Sequence, residues 1–200
     1  MSATVHVFEN GLRKDTWLGA GFVGEAIFSP EPEPVYRYWL SRQWEPKPDR
    51  TAVFAMLNPS TADAQKLDPT VRRCLGFARL WGCGQLIVVN VFALRATDPR
   101  TLGLVRDPIG PHNEHYIRAA AAIASRPQAN WTGATGVICA WGVSGKFAGA
   151  KHANHGQAVI DWIKGAGAHT YALATTKQGH PRHPLYLPRI MAPKVWGPPQ

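Results

Sequence analysis

The side chains best suited to chemistry stand where four apolar segments of the sequence end. TAVFAML leads into the NPST turn at 58–61, and QLIVVNVFAL contains Asn90. TGVICAWG ends in Trp141 and Gly142, and HTYALATT leads through Lys177 into GHPRHPLYLP. Amide, hydroxyl and imidazole groups can bind and orient a polar ligand, because they offer hydrogen-bond donors and acceptors. These segments predict one binding or catalytic site, if the fold brings their ends together.

The apolar segments alternate with helical patterns. DPTVRRCLGFARLWGCG predicts a helix with Asp68 as its N-cap and Pro69 at its first position. PHNEHYIRAAAAIAS and KFAGAKHANHGQAVIDWIKGAG predict two more. We therefore expect an α/β fold with three α/β/α layers and a central, mostly parallel sheet of about four strands. Ligands of such sheets bind at the carboxyl ends of the strands.

The first fifty residues have a different character. GFVGEAIFS and VYRYWLSRQW are rich in β-branched and aromatic residues, and PEPEP separates them. This pattern predicts an antiparallel hairpin with a stiff connection. We expect residues 1–50 to form a hairpin extension packed on the core and residues 51–200 to form the α/β part of one domain.

The composition favours a polyanionic partner. The chain has 22 Lys and Arg against 13 Asp and Glu, a formal net charge of +9, and basic side chains near phosphates release counterions. DNA, double- or single-stranded, is the expected partner; a basic surface that serves only solubility is the alternative. Three widely spaced cysteines and two isolated His pairs predict no metal, and no diffusible cofactor is expected. Without a signal-like segment or a long apolar run, we expect a cytoplasmic protein.

The motifs MLNPS, LIVVNVFAL, CAWG and HPLYL, in this order, resemble those of the uracil-DNA glycosylase superfamily. MLNPS is similar to the Gly-Ile-Asn-Pro motif of its mismatch-specific thymine/uracil branch. The layout looks closer still to an uncharacterised bacterial and phage family with LNPSTAD, NVF and HPLYL motifs. The resemblance covers roughly residues 51–189 and leaves the hairpin unexplained.

This resemblance implies a DNA glycosylase, which hydrolyses the N-glycosidic bond of a flipped base and leaves an abasic site. Asn58 would orient the attacking water, and Asn90 would pair with the polar edge of the base. His183 would stabilise negative charge on the departing base or hold a flanking phosphate. Asp63 is a carboxylate that could assist the water, whereas Asp68 is expected to act only as a helix cap.

Further site residues follow from their place beside these motifs. The expected base-binding neighbours of Asn90 are Leu57, Pro59 and Trp141. The expected phosphate contacts are Ser60, Thr61, Arg72, Arg73, Lys177 and Arg182. Lys177 could instead form a Schiff base with the sugar, which would add strand cleavage.

The sequence departs from the superfamily motifs in ways that bear on the substrate. Leu57 stands where relatives have a residue that packs on the base, and no obvious aromatic blocks a 5-methyl group. We therefore expect a larger pocket that takes a bulky or modified pyrimidine, as in defence against phages with modified DNA. Two alternatives stay open: a non-catalytic nucleic-acid or nucleotide-binding module of the same fold, and a hydrolase of free nucleotides. The corresponding alternatives for single residues are that Asn58 only stabilises the turn it sits in and that Asn90 only pairs with a neighbouring loop.

Overall fold

A computed structural model describes residues 3–19, 21–30, 35–127, 135–143 and 147–198. The strands are β1 (Ala3–Glu9), β2 (Leu12–Gly19), β3 (Phe22–Phe28), β4 (Arg37–Gln43), β5 (Thr51–Met56), β6 (Gln85–Asn90), β7 (Gly136–Cys139), β8 (His169–Ala172) and β9 (Lys194–Val195). The α-helices are α1 (Pro69–Leu80), α2 (Asn113–Ala124) and α3 (His155–Gly165). Across the described ranges, the strands form one sheet in the order β1-β2-β3-β4-β6-β5-β7-β8-β9.

The predicted fold class is wrong. Of the eight neighbouring strand pairs in this sheet, five are antiparallel and three, β5/β6, β5/β7 and β7/β8, are parallel. The sheet is thus a large mixed one of nine strands, mostly antiparallel, instead of a mostly parallel sheet of about four in three layers. The prediction was wrong because it treated the N-terminal strands as an appendage. In the fold, β4 pairs with β6, so β1 to β4 continue the sheet.

The central strands are buried on both faces, which explains their continuous apolar sequence. Every residue of β5 is buried. Val53 and Ala55 pack in the cluster that contains α2 and α3, whereas Phe54 and Met56 pack in the cluster that contains α1. Helices therefore cover both faces of the sheet around β5, and the end of β5 emerges between them.

Helix α1 begins where the sequence predicts it. The Asp68 carboxylate accepts a hydrogen bond from the backbone N–H of Val71 at 2.7 Å, and Pro69 occupies the first helical position. The apolar side of α1 is buried through Val71, Cys74, Phe77 and Ala78. None of the helices in the described ranges has both the length and the apolar character that a membrane span requires.

Strand β3 lies directly against the segment that follows β5, and Gly24 is the point of contact. A Cβ atom at Gly24 would overlap the carbonyl oxygen of Ala64, and Ala64 itself is buried. The glycine is required here by the close approach of backbone rather than by its own backbone angles.

We expect Gly24→Ala to lower the free energy of unfolding by about 1–3 kcal/mol, since an extra methyl group in a filled space forces the backbone apart. Urea denaturation followed by circular dichroism measures this. Gly76→Ala is the matched control, because Gly76 lies in α1 with open space around it and alanine favours helix by up to about 1 kcal/mol. Equal effects of the two substitutions would contradict the close packing of β3 on the loop.

Candidate functional site

A cavity of about 510 Å³ opens where β5 and β6 end and where β7 leads into Trp141. Six predicted site residues line it: Leu57, Asn58, Ser60, Asn90, Trp141 and His183. Pockets of about 300–1,000 Å³ are typical of small-molecule sites. The cavity is therefore large enough for a ligand, and its wall combines polar atoms from three strand ends and from the last loop.

Asn58 is held with its amide oxygen unoccupied. Its Nδ2 donates to the carbonyl of Pro59 at 3.0 Å and to that of Ala96 at 2.7 Å. Carbonyls only accept, so these two bonds determine which end of the amide is nitrogen. No described residue donates to Oδ1, and Asn58 lines the cavity. Asn58 thus offers an acceptor to a water molecule or a ligand.

Asn90 has the complementary arrangement. Its side chain is buried, and its Oδ1 accepts a hydrogen bond from Nη2 of Arg37 at 3.4 Å. Among the described residues none accepts from Nδ2 of Asn90, and the residue lines the cavity. Asn113, at the start of α2, donates to the backbone carbonyls of Asn90 and Val91 at 3.0 Å each. The Nδ2 of Asn90 is thus a donor available to a ligand in the cavity, and Asn113 holds the backbone that carries it.

His183 offers a second donor. Its Nδ1 accepts a hydrogen bond from the backbone N–H of Leu185 at 3.3 Å, so the ring proton of the neutral form is on Nε2. Burial lowers the pKa of His183 below its usual value, and the carboxylate of Asp68 opposes this effect. The imidazole is therefore neutral at pH 7 and can donate through Nε2 without carrying a charge.

Arg37 is a cavity residue that the sequence did not single out. It is 2% exposed, and its Nη1 donates to the carbonyl of Ala62 at 2.8 Å. Burial lowers the pKa of Arg37 to about 10, with Asp68 opposing the shift, so the guanidinium stays charged at neutral pH. In VYRYWL, Arg37 is a charged residue between two aromatic ones, which is typical of a side chain that faces outward from a strand. Only the pairing of β4 with β6 places it at the cavity.

Arg42, on the same strand, secures the segment that follows the NPST turn. Its Nη2 donates to the carbonyl of Asp63 and, at 3.1 Å, to that of Lys66. Together with the bond from Arg37 to Ala62, this attaches residues 62–66 to β4. The N-terminal strands therefore position one wall of the cavity.

The positions of the two candidate carboxylates are the reverse of those expected. Asp63 does not line the cavity; its Oδ1 accepts from the backbone N–H groups of Gln65 and Lys66 at 2.8 and 2.7 Å and closes a turn. Asp68 lines the cavity while it caps α1. Both residues stabilise local backbone, but only Asp68 is also within the site. Because Pro69 after it is typical of a helix start, the sequence indicated only the capping role of Asp68 and not its place in the cavity.

The apolar part of the wall comes from aromatic and aliphatic side chains. Trp141 is 4% exposed and meets Trp196 edge-on, with ring centroids 5.7 Å apart. Leu57 and Phe147 add apolar surface, and Tyr186 lies at the mouth with 79% of its surface exposed. Flat apolar walls with a few polar atoms are typical of sites for aromatic ligands. Of the four residues named here that line the cavity, Phe147 and Tyr186 were not predicted.

A second cavity of about 480 Å³ adjoins the first and shares Leu185 with it. Arg72, Arg73 and Arg189 line this basic cleft, and none of its described lining residues is acidic. The guanidinium of Arg73 stacks over Phe77 at 5.1 Å and donates to the carbonyl of Leu187. The basic cleft is suited to an anion that continues from a ligand in the first cavity.

The remaining predicted residues lie outside both cavities. Pro59 is buried, and its carbonyl accepts from Asn58. Thr61, Lys177 and Arg182 are exposed and line neither cavity. In the part of the chain that the structure describes, no group of three or more His, Cys, Asp or Glu is arranged to bind a metal ion.

Comparison with known proteins identifies the family of the chain. The family model described as "Protein of unknown function (DUF1643)" matches residues 37–185 of the 200. The chain therefore belongs to this family, and the matched span begins at β4 and includes every residue of the cavity named above except Tyr186. No curated protein and no solved structure matches the chain.

The state of His183 can be measured directly. We expect ¹⁵N-detected NMR of histidine-labelled protein to show the neutral Nε2–H tautomer at pH 7 and a pKa lower than that of an ordinary histidine, because burial disfavours the charged form. His169, which is exposed, provides the internal comparison. An imidazolium signal from His183 at pH 7, or a proton on Nδ1, would show that the ring is not the donor described here.

Proposed function

We propose that this member of the DUF1643 family is a DNA glycosylase, which hydrolyses the N-glycosidic bond of an extruded base and leaves an abasic site. The observation that carries the proposal is the shared cavity of Asn58, Asn90 and His183. Each of these side chains keeps one hydrogen-bonding atom available, and each lies in a motif that resembles the uracil-DNA glycosylase superfamily. The proposal depends on these residues and not on the overall sheet.

The cavity suits a nucleobase with a substituent. The Nδ2 of Asn90 can donate to a ring carbonyl of the base, while Leu57 and Trp141 provide apolar surface for its faces. A volume of about 510 Å³ leaves room beyond an unmodified pyrimidine. We therefore propose a bulky or modified pyrimidine as the base and defence against phages with modified DNA as the setting.

The chemistry follows from the polar atoms of the wall. Oδ1 of Asn58 accepts a hydrogen bond from the attacking water, and the carboxylate of Asp68 takes the proton that this water loses. The bond between C1′ and the base nitrogen breaks, and its electron pair leaves with the base. The Nε2–H of His183 donates to the oxygen on which negative charge develops. The neutral imidazole can donate this hydrogen bond because its ring proton is on Nε2.

DNA would approach across the basic cleft. Arg72, Arg73 and Arg189 lie beside the proposed base cavity, where phosphates flanking an extruded nucleotide are expected. Extrusion costs a few kcal/mol of stacking and pairing. Tyr186, at the mouth and largely exposed, is placed to stack on the opened strand and to offset part of this cost.

The decisive experiment incubates the protein with DNA that carries normal, deaminated or substituted pyrimidines and assays the abasic sites produced. We expect release of at least one substituted pyrimidine and loss of this activity in Asn58→Ala. Release from free nucleotides alone would indicate a nucleotide hydrolase, and DNA binding without release would indicate a binding module. Either result, or no release by folded protein, overturns the proposal.

A second test separates the two roles of Asp68. Asp68→Asn keeps an N-cap oxygen for Val71, since asparagine and aspartate cap helices equally well, but it cannot take a proton. We expect the single-turnover rate of base release to fall by about 10²–10⁴, while α1 keeps its N-cap.

Asp107→Asn is the matched control for this substitution. The Asp107 carboxylate also caps backbone, accepting from the N–H groups of Ile109 and Gly110, but it does not line the cavity. We expect its rate to equal that of the wild type. An unchanged rate in Asp68→Asn would remove Asp68 from the reaction and leave it as a helix cap.

A further inference from the structure

Arg37 is a buried cation that no described carboxylate contacts directly. It is 2% exposed and takes part in none of the salt bridges found among the described residues. Two of its five N–H donors are used, in the bonds to Ala62 and Asn90, and its buried Nε has no partner. A buried charge without a direct ion pair is costly. The carboxylates of Asp68 and Asp63 act on Arg37 only from a distance, so negative charge that develops in the cavity would stabilise it further.

The comparison with Arg42 shows that loop attachment alone does not explain Arg37. Arg42 is equally buried on the same strand and donates to three backbone carbonyls, those of Ser41, Asp63 and Lys66. Arg37 donates to one backbone carbonyl and directs its second bond to Oδ1 of Asn90. Only Arg37 of the two lines the cavity.

We propose that Arg37 is a positioning residue that stabilises the departing base anion through Asn90; this rests on the proposed glycosylase function. As the bond between C1′ and the base breaks, the electron pair spreads over the ring nitrogen and the carbonyl oxygen that faces Nδ2 of Asn90. The hydrogen bond from Arg37 to Oδ1 polarises this amide, and it also fixes Nδ2 toward the base.

The proposed reaction accounts for every bond, proton and electron pair. The water oxygen forms its bond to C1′ and gives a proton to Asp68, while the base leaves with the pair of the broken bond and is later protonated by solvent. The charge of Arg37 acts over a longer range inside the protein than in water, because the local dielectric is low. Arg37 thus supplies a positive charge on the leaving-group side of the cavity without touching the base.

This role predicts how the rate depends on the base. In the wild type, Arg37 carries part of the stabilisation, so the rate should depend weakly on the acidity of the leaving base. In Arg37→Gln, which keeps a polar side chain but no charge, the base must stabilise its own negative charge. We expect poorly acidic bases to lose at least about tenfold in rate and strongly acidic bases to lose little.

The experiment measures single-turnover rates on oligonucleotides that carry the released pyrimidine with methyl, hydrogen, bromine or fluorine at C5. Arg37→Gln should show a steeper dependence on leaving-group acidity than the wild type, and Arg37→Lys, which keeps a charge, should lie between them. Each slope compares substrates within one protein preparation, so a fraction of unfolded protein does not change it. Binding of the oligonucleotide, measured separately, should change much less than the rate.

Arg42→Gln is the matched control, because Arg42 supports the same loop from the same strand. We expect it to lose stability and to keep the wild-type slope. Parallel slopes for Arg37→Gln and the wild type, or an equal steepening in Arg42→Gln, would falsify the role of Arg37 and leave the glycosylase proposal standing. Failure of the wild type to release any base contradicts the glycosylase proposal itself, so the two outcomes are distinguishable.

Discussion

The cavity depends on two buried guanidinium groups that hold the loop after β5. Arg37 and Arg42 project from β4 and donate to the carbonyls of Ala62, Asp63 and Lys66. Hydrogen bonds to charged groups contribute about 1.5–3 kcal/mol each, and leaving such carbonyls unpaired would cost a similar amount. The loop therefore cannot move away from β4 without exposing both the carbonyls and the cations. This constraint explains how β4, which borders β6 in the sheet, supports a site at the ends of β5 and β6.

The same loop is attached on its other side to the segment after β6. The backbone N–H groups of Val91, Phe92 and Ala96 donate to carbonyls of residues 56, 57 and 59, and Asn58 adds a side-chain bond to the carbonyl of Ala96. Asn113 then connects this segment to α2. Polar atoms that are fixed before a ligand arrives need no reorganisation during a reaction. The donors and acceptors of the cavity are of this kind, which favours a site for chemistry over a flexible surface.

The sequence indicated several residues that line the cavity, but it did not indicate the sheet that positions them. Asn58 and Asn90 could be recognised because polar side chains at the ends of apolar strands are conspicuous. Strand β4 was misjudged because it was assigned to a hairpin extension packed on the core, whereas it pairs with β6 within the sheet and its Arg37 and Arg42 bury charge by hydrogen bonding to a distant loop. No local pattern contains that information, since the partners are some 21 to 25 residues away along the chain. Asp63 and Asp68 were confused for the same reason, because both cap local backbone and only tertiary packing decides which one faces the cavity.

The cavity keeps two opposite charges apart. Arg37 and Asp68 both line it and influence each other electrostatically, yet they form no salt bridge. A direct pair would neutralise both groups and leave an ordinary buried ion pair. Held apart, they create a field across the cavity, with the cation behind Asn90 and the anion at the start of α1. Hydrolysis of a glycosidic bond separates charge in the same sense, since the sugar becomes positive as the base becomes negative. In the proposed glycosylase reaction, both charges would act in the same transition state.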